Sequence, residues 1–200
     1  MKKIKNIILN EGFRAVITNG IRSFTVENLA SRLTMSKKTI YQYFPKKEIL
    51  IKKIIIFSME KMTLEFKDII KNEPDPIIQF IKIIDSNNKL GRKLSLQKLT
   101  YLKSRYPDIW KLIEEHRRER KNIFFEIFKL SKKKGYLKDS LDPLVSANLF
   151  MNIINSTFQP EFMLDNNLTL EETITHIHEI MSNGFFNDLG IKKINEYRNK

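Results

Sequence analysis

The chain has 200 residues, long enough for one or two compact units, and its 42% apolar content is sufficient for a core. With no cysteine there is no disulfide framework, and apolar runs such as Ile54-Ile55-Ile56-Phe57 are broken by lysines far short of the roughly 18 residues of a membrane span. The 36 basic and 23 acidic residues leave a formal net charge of +13, and residues 1–53 hold 12 of the basic and only 3 of the acidic ones, so +9 sits in the first quarter.

The opening MKKIKNIILNEG has only three consecutive apolar residues, too few for a signal peptide, and a cytoplasmic protein with no membrane partner is expected. Few Gly and Pro and no sustained alternation predict an all-α chain.

The first readable pattern is TVENLASRLTMSKKTIYQYFPKKEIL, residues 25–50. Leu29, Ala30 and Leu33 form one apolar stripe, Ile40 and Phe44 form an i,i+4 pair on the next helix, and only Thr34 and Met35 intervene. Helices joined so tightly cross steeply; Ala30 is small at the crossing, and Ser36 can accept a hydrogen bond from the free N–H groups of the second helix. With Ile40 inward, steps of about 100° put Lys38 and Gln42 outermost, with Thr39 and Tyr41 beside them.

These residue types suit a major groove. Lys bonds guanine O6 and N7, Gln bonds adenine N6 and N7, and Thr serves through hydroxyl or methyl. Thr25, Ser36, Tyr43 and Lys47 lie at helix ends or flanks, where phosphate contacts set register, and Lys37 is a further DNA-binding candidate. Pro45 keeps Phe44 extended and is tolerated in a first turn, so Lys46 and Lys47 stand near a helix's positive end. Each residue alone also fits a solvated face or ordinary packing; the combination, with the basic excess, points to duplex DNA bound with a steep salt dependence.

Thr25, Leu29-Ala30, Ser36-Lys37, Tyr41 and Phe44-Pro45-Lys46-Lys47-Glu48-Ile49-Leu50 together resemble the signature of the TetR family of bacterial transcription regulators. Ile8-Leu9, Phe13, Val16 and Gly20 resemble that family's first helix and its closing glycine. Thr34, Met35, Lys38 and Gly12 depart from the usual Gly, small β-branched residue, Gly and Ala. A left-handed Thr34 would cost about 1 kcal/mol or more relative to Gly. Lys38 puts a long cation where the family approaches the backbone closely, and suggests a lysine reaching a base or phosphate. The resemblance implies a three-helix DNA-binding domain, residues 1–50, and a helical ligand-binding and dimerisation domain, residues 51–200.

Further helices are predicted at 46–71, 75–86, 93–104, 107–133, 142–163 and 170–186. Pro74 and Pro76 bracket a boundary, Gly91 interrupts, Tyr106-Pro107-Asp108 opens one helix, and Lys132-Lys133-Lys134-Gly135 closes it with cations at its negative end. Asp165-Asn166-Asn167 reads as a loop, and Thr169 with Glu172 as a capping box.

Val145, Leu149, Ile153 and Phe158, then Ile174, Ile177, Ile180, Met181 and Phe185, form apolar faces that either the chain's own core or a second copy must bury. The resemblance favours a homodimer paired through the last two long helices, with two heads on a pseudo-palindromic operator. It also implies an apolar effector pocket, for which Phe80, Tyr101, Trp110, Phe124, Phe125, Phe128, Phe150 and Met151 are candidates, although aromatic and Met residues at this spacing are also ordinary core fillers.

No enzyme is expected, and neither cofactor nor metal. His176 and His178 point about 200° apart on a helix, and Glu114-Glu115 has no partner for acid–base work. The expected function is a sequence-specific, ligand-responsive repressor. Alternatives are a DNA-binding architectural or partner-recruiting protein without a small-molecule ligand, and a helical enzyme or lipid-surface protein whose head is accidental.

Overall fold

A computed structural model describes residues 2–199. Among them twelve helices follow one another: α1 (Lys2–Asn19), α2 (Val26–Arg32), α3 (Lys37–Tyr43), α4 (Lys47–Asn72), α5 (Pro76–Gly91), α6 (Leu96–Arg105), α7 (Pro107–Glu119), α8 (Lys121–Lys133), α9 (Pro143–Thr157), α10 (Pro160–Asp165), α11 (Leu170–Phe185) and α12 (Asp188–Arg198). Strand pairing among the described residues is limited to one isolated bridge, Leu137 with Phe186. No described helix is long and apolar enough to cross a membrane.

The chain divides into two compact units. The first holds the residues up to Met62 together with Gln97–Leu112, and the second Thr63–Leu96 with Ile113–Lys200. Residues 1–50 lie wholly within the first.

In the first unit Ile8, Val16, Leu29, Ala30, Ile40, Phe44, Leu50, Ile51 and Ile54 are buried. Gly12 lets α1 approach α4, since a Cβ there would stand 2.5 Å from Ile54 Cδ1. Gly20 ends α1 at φ +80, and Lys98 of α6 donates to the carbonyls of Ile17 and Thr18 at 2.8 and 3.1 Å, a cation on the helix's negative end.

The second unit is organised by packed rings. Phe80 of α5 lies 5.3 Å from Phe186, Phe124 of α8 lies 4.5 Å from Phe150 of α9, and Phe128 lies 4.9 Å from Phe185 of α11. His178 stacks on Phe80 at 5.6 Å, and Arg198 of α12 donates to its Nδ1.

Four boundaries differ from the sequence reading. The stretch 107–133 is two helices, broken at Arg120, where neither Pro nor Gly signals a break. The stretch 142–163 also divides, because Pro160 lacks an N–H and holds Gln159 in extended backbone at ψ 133. Helix α5 continues past Ser86 and ends at Gly91, where a side chain would meet Ile174 Cδ1 at 2.7 Å, so the glycine stands at the break and also permits close packing. Helix α12 lies beyond the last helix predicted: Asn187 caps it by accepting from Gly190 N at 3.1 Å, and Ile194 is buried. The capping box at Thr169 and Glu172 and the left-handed Gly135 after α8 stand as expected.

Burial pushes the His178 imidazole down to about 4, with the Arg198 charge adding to the effect. The folded chain therefore holds His178 neutral where the unfolded chain binds a proton, so stability is lost as pH falls from about 6.5 towards 4, by an amount on the order of 3 kcal/mol. Urea unfolding across that range should show a pH slope that His178→Phe flattens; an identical slope in the variant would assign the loss to other groups.

Candidate nucleic-acid interface

Helix α3 has seven residues, too few to persist alone, and two devices hold it. Ile40 is fully buried and Phe44 nearly so, and the Ser36 hydroxyl accepts from Thr39 N at 3.0 Å. Helix α2 is capped in the same way, Thr25 accepting from Asn28 N at 3.1 Å. Between them Thr34 takes φ 51, and Met35 N donates to Ala30 O at 2.9 Å, closing the turn.

This anchorage turns Lys37, Lys38, Tyr41 and Gln42 outward, all exposed on α3. Thr39 is half-buried, its hydroxyl 2.8 Å from that of Ser36. Tyr43 and Lys47 are half-buried flanking residues, Ser36 is exposed, and Thr25 is half-buried at its cap. All nine residues singled out for DNA thus lie on α3 or at the ends of α2, α3 and α4.

One residue of this surface is absent from the sequence reading. Glu27, in the first turn of α2, accepts from Lys37 Nζ at 2.9 Å. The Lys37 hydrogen bond holds the Glu27 carboxyl below the usual range, with the Lys47 charge contributing, and Glu27 raises the Lys37 ammonium. Both side chains are exposed, so the pair breaks at little cost when a phosphate competes. The sequence signal is an acidic residue at a helix's positive end, two residues after its cap.

The residues suggested for a pocket fall in both units. Tyr101 and Trp110 belong to the first unit. Phe80, Phe124, Phe128 and Phe150 are buried within the ring cluster of the second, and Phe125 is half-buried under Lys129. Met151 does line an open cleft of about 590 Å³, but its neighbours there are polar: Glu114, Arg118, Lys121, Asn148, Asn152 and Gln159 among them. Of the interface candidates, Val145 and Leu149 are 54% and 53% exposed, and Ile153 and Met181 are half-buried. Ile174 and Ile177 are buried within the unit; the large apolar residue of α11 left exposed is Ile180, at 63%.

Residues 8–54 match the family model for bacterial regulatory proteins, tetR family. The uncharacterized HTH-type transcriptional regulator YvaF of Bacillus subtilis (strain 168) is 26% identical over 182 residues, which span 90% of this chain and 95% of that protein. A TetR transcription regulator from Haloarcula marismortui superposes with a TM-score of 0.67 at 14% identity, over 94% of this chain and 100% of the other. A transcriptional regulator from Saccharomonospora viridis, solved in complex with choline, superposes with a TM-score of 0.68 at 13% identity, again over 94% of this chain and 100% of the other.

Two substitutions test the geometry of the head. Thr34→Gly should raise unfolding free energy by about 1 kcal/mol in urea melts, by relieving the left-handed threonine, without altering DNA affinity. Glu27→Gln removes a carboxylate from beside Lys37 and Lys47 and should tighten binding several-fold to any duplex in a low-salt titration. Unchanged affinity would show that Glu27 is remote from the bound phosphates.

Proposed function

We propose that this chain, a member of the tetR family of bacterial regulatory proteins, is a repressor that binds a pseudo-palindromic operator as a homodimer and responds to a small effector. The observation that carries the reading is the outward set Lys38, Tyr41 and Gln42 on a helix held in place by buried Ile40, in a segment whose charge is +9. Gln42 and Lys38 read base edges; Lys37, Lys47 and the hydroxyl groups of Thr25, Ser36 and Tyr43 set register on phosphates. DNA as the partner implies a cytoplasmic site of action.

A second copy is supported by Val145 and Leu149 of α9 and Ile180 of α11, large apolar side chains left in water within one chain. Two-fold pairing would place two copies of α3 on successive half-sites about one helical turn apart. The effector is assigned to the second unit, which lies outside the segment that matches the DNA-binding family model. Helix α4 begins in the first unit and ends in the second, so an effector that favours one position of α4 would alter the spacing of the two heads.

Selection of genomic fragments by the purified protein, followed by titration of the best fragment against random duplex at several salt concentrations, tests the reading. A site bound roughly a thousandfold tighter than random sequence is expected. On that site Tyr41→Ala and Lys47→Ala should weaken binding broadly, whereas Gln42→Ala should relax discrimination at one base pair by about 1 to 3 kcal/mol. Equal, salt-sensitive binding to every fragment would overturn the repressor reading in favour of an architectural protein.

A further inference from the structure

Where α7 gives way to α8, the second unit draws in two positive charges with nothing negative bonded to them. Arg117 lies in the last turn of α7 and Arg120 at the break, three residues apart and so on neighbouring sides of the turn. Both residues are half-buried, with their polar atoms unevenly covered. Arg117 Nη1 and Arg120 Nε are sealed from solvent, and neither atom has a hydrogen-bond acceptor among the described residues. What they face is aromatic. The Arg117 guanidinium lies 5.6 Å from the centre of the Phe158 ring, and that of Arg120 5.2 Å from the centre of the Phe66 ring.

The carboxylate that acts on Arg117 is Glu114, and it is engaged elsewhere. Gln159 Nε2 donates to its Oε1 at 2.6 Å, and Arg118 is 3.9 Å from its Oε2. Burial pushes both guanidinium groups down to about 10, and Arg117 pushes Arg120 further in that direction. Two like charges drawn in together without a bonded counter-charge are a costly arrangement. Nothing local requires it, since the helix break that places Arg120 contains no Pro or Gly.

We propose that Arg117 and Arg120 form the anion-binding end of the effector site, taking the carboxylate or phosphate oxygens of a small organic acid whose apolar part rests against Phe66 and Phe158. This rests on the reading of the second unit as the effector-binding part. A planar guanidinium matches a head of two or three oxygens, and an anion neutralises both charges at once where water would only solvate them. The ring faces call for an organic portion rather than an inorganic ion. A cationic ligand would add a third like charge. The site is distinct from the open cleft, which neither arginine lines.

The test uses the full chain and four probes built on an eight-carbon chain: octanoate, octyl phosphate, octanol and octyltrimethylammonium. Calorimetric titration should show one of the anions binding about tenfold or more tighter than octanol, and no binding of the cation. The ratio of octanoate to octyl phosphate identifies the head. Arg117→Met and Arg120→Met should each abolish the anion preference and raise the melting temperature of the ligand-free protein, because an uncompensated buried charge is removed. Purely structural arginines would instead lower it and leave the preference intact.

A wild-type protein that binds octanoate, octyl phosphate and octanol equally overturns the inference without recourse to any variant. Operator titration run in parallel separates the two readings: specific DNA binding without anion preference overturns the anion site alone, and anion preference without operator specificity overturns the repressor reading alone.

Discussion

The exposed face of α3 depends on the burial of one side chain. Helix α3 is two turns long and would melt in isolation, since nucleating a helix fixes several backbone dihedrals for each hydrogen bond gained. Ile40, fully enclosed among residues of the first unit, holds it folded and fixes its rotation about its own axis. A helix rotates by about 100° per residue, so once Ile40 is inward the outward positions of Lys38, Tyr41 and Gln42 follow. The caps at Thr25 and Ser36 and the left-handed Thr34 then set where each helix begins and how sharply the chain turns between them.

The second unit solves a different problem. Its rings are spent on one another: Phe80, Phe124, Phe128, Phe150, Phe185 and Phe186 pack within about 6 Å of neighbouring rings and enclose His178. Arg117 and Arg120 face other rings, Phe158 and Phe66, and they sit where the chain passes from one helix to the next. In the head, by contrast, charge is carried outside and solvated, as in the exposed pair of Lys37 and Glu27.

Much of this was legible in the residues. The capping box at Thr169 and the left-handed glycine at 135 are local features whose hydrogen bonds close within a few residues, so sequence suffices. The break at Pro160 and the Asn187 cap of α12 carry equally local signals, a residue without an N–H and a side chain suited to capping. The break at Arg120 is another matter. The run from His116 to Asn122 is uniformly compatible with helix, and only packing against Phe66 and Phe158 distinguishes Arg117 and Arg120 from their exposed neighbours Arg118 and Glu119.

By itself, then, the sequence determined the parts of this protein whose physics is local: an all-helical chain, the Ser36 cap and the tight turn of the head, the outward face of α3, and the concentration of positive charge in the first quarter. Each follows from composition or from hydrogen bonds and periodicities spanning a few residues. The tertiary structure decided what depends on distant residues meeting. It set Lys98 on the last carbonyls of α1, placed Ile174 and Ile177 inside the core while leaving Ile180 outside, and sealed polar atoms of Arg117 and Arg120 without a bonded counter-charge. Burial is a property of the assembled unit, because whether a side chain meets water is settled by elements far away along the chain.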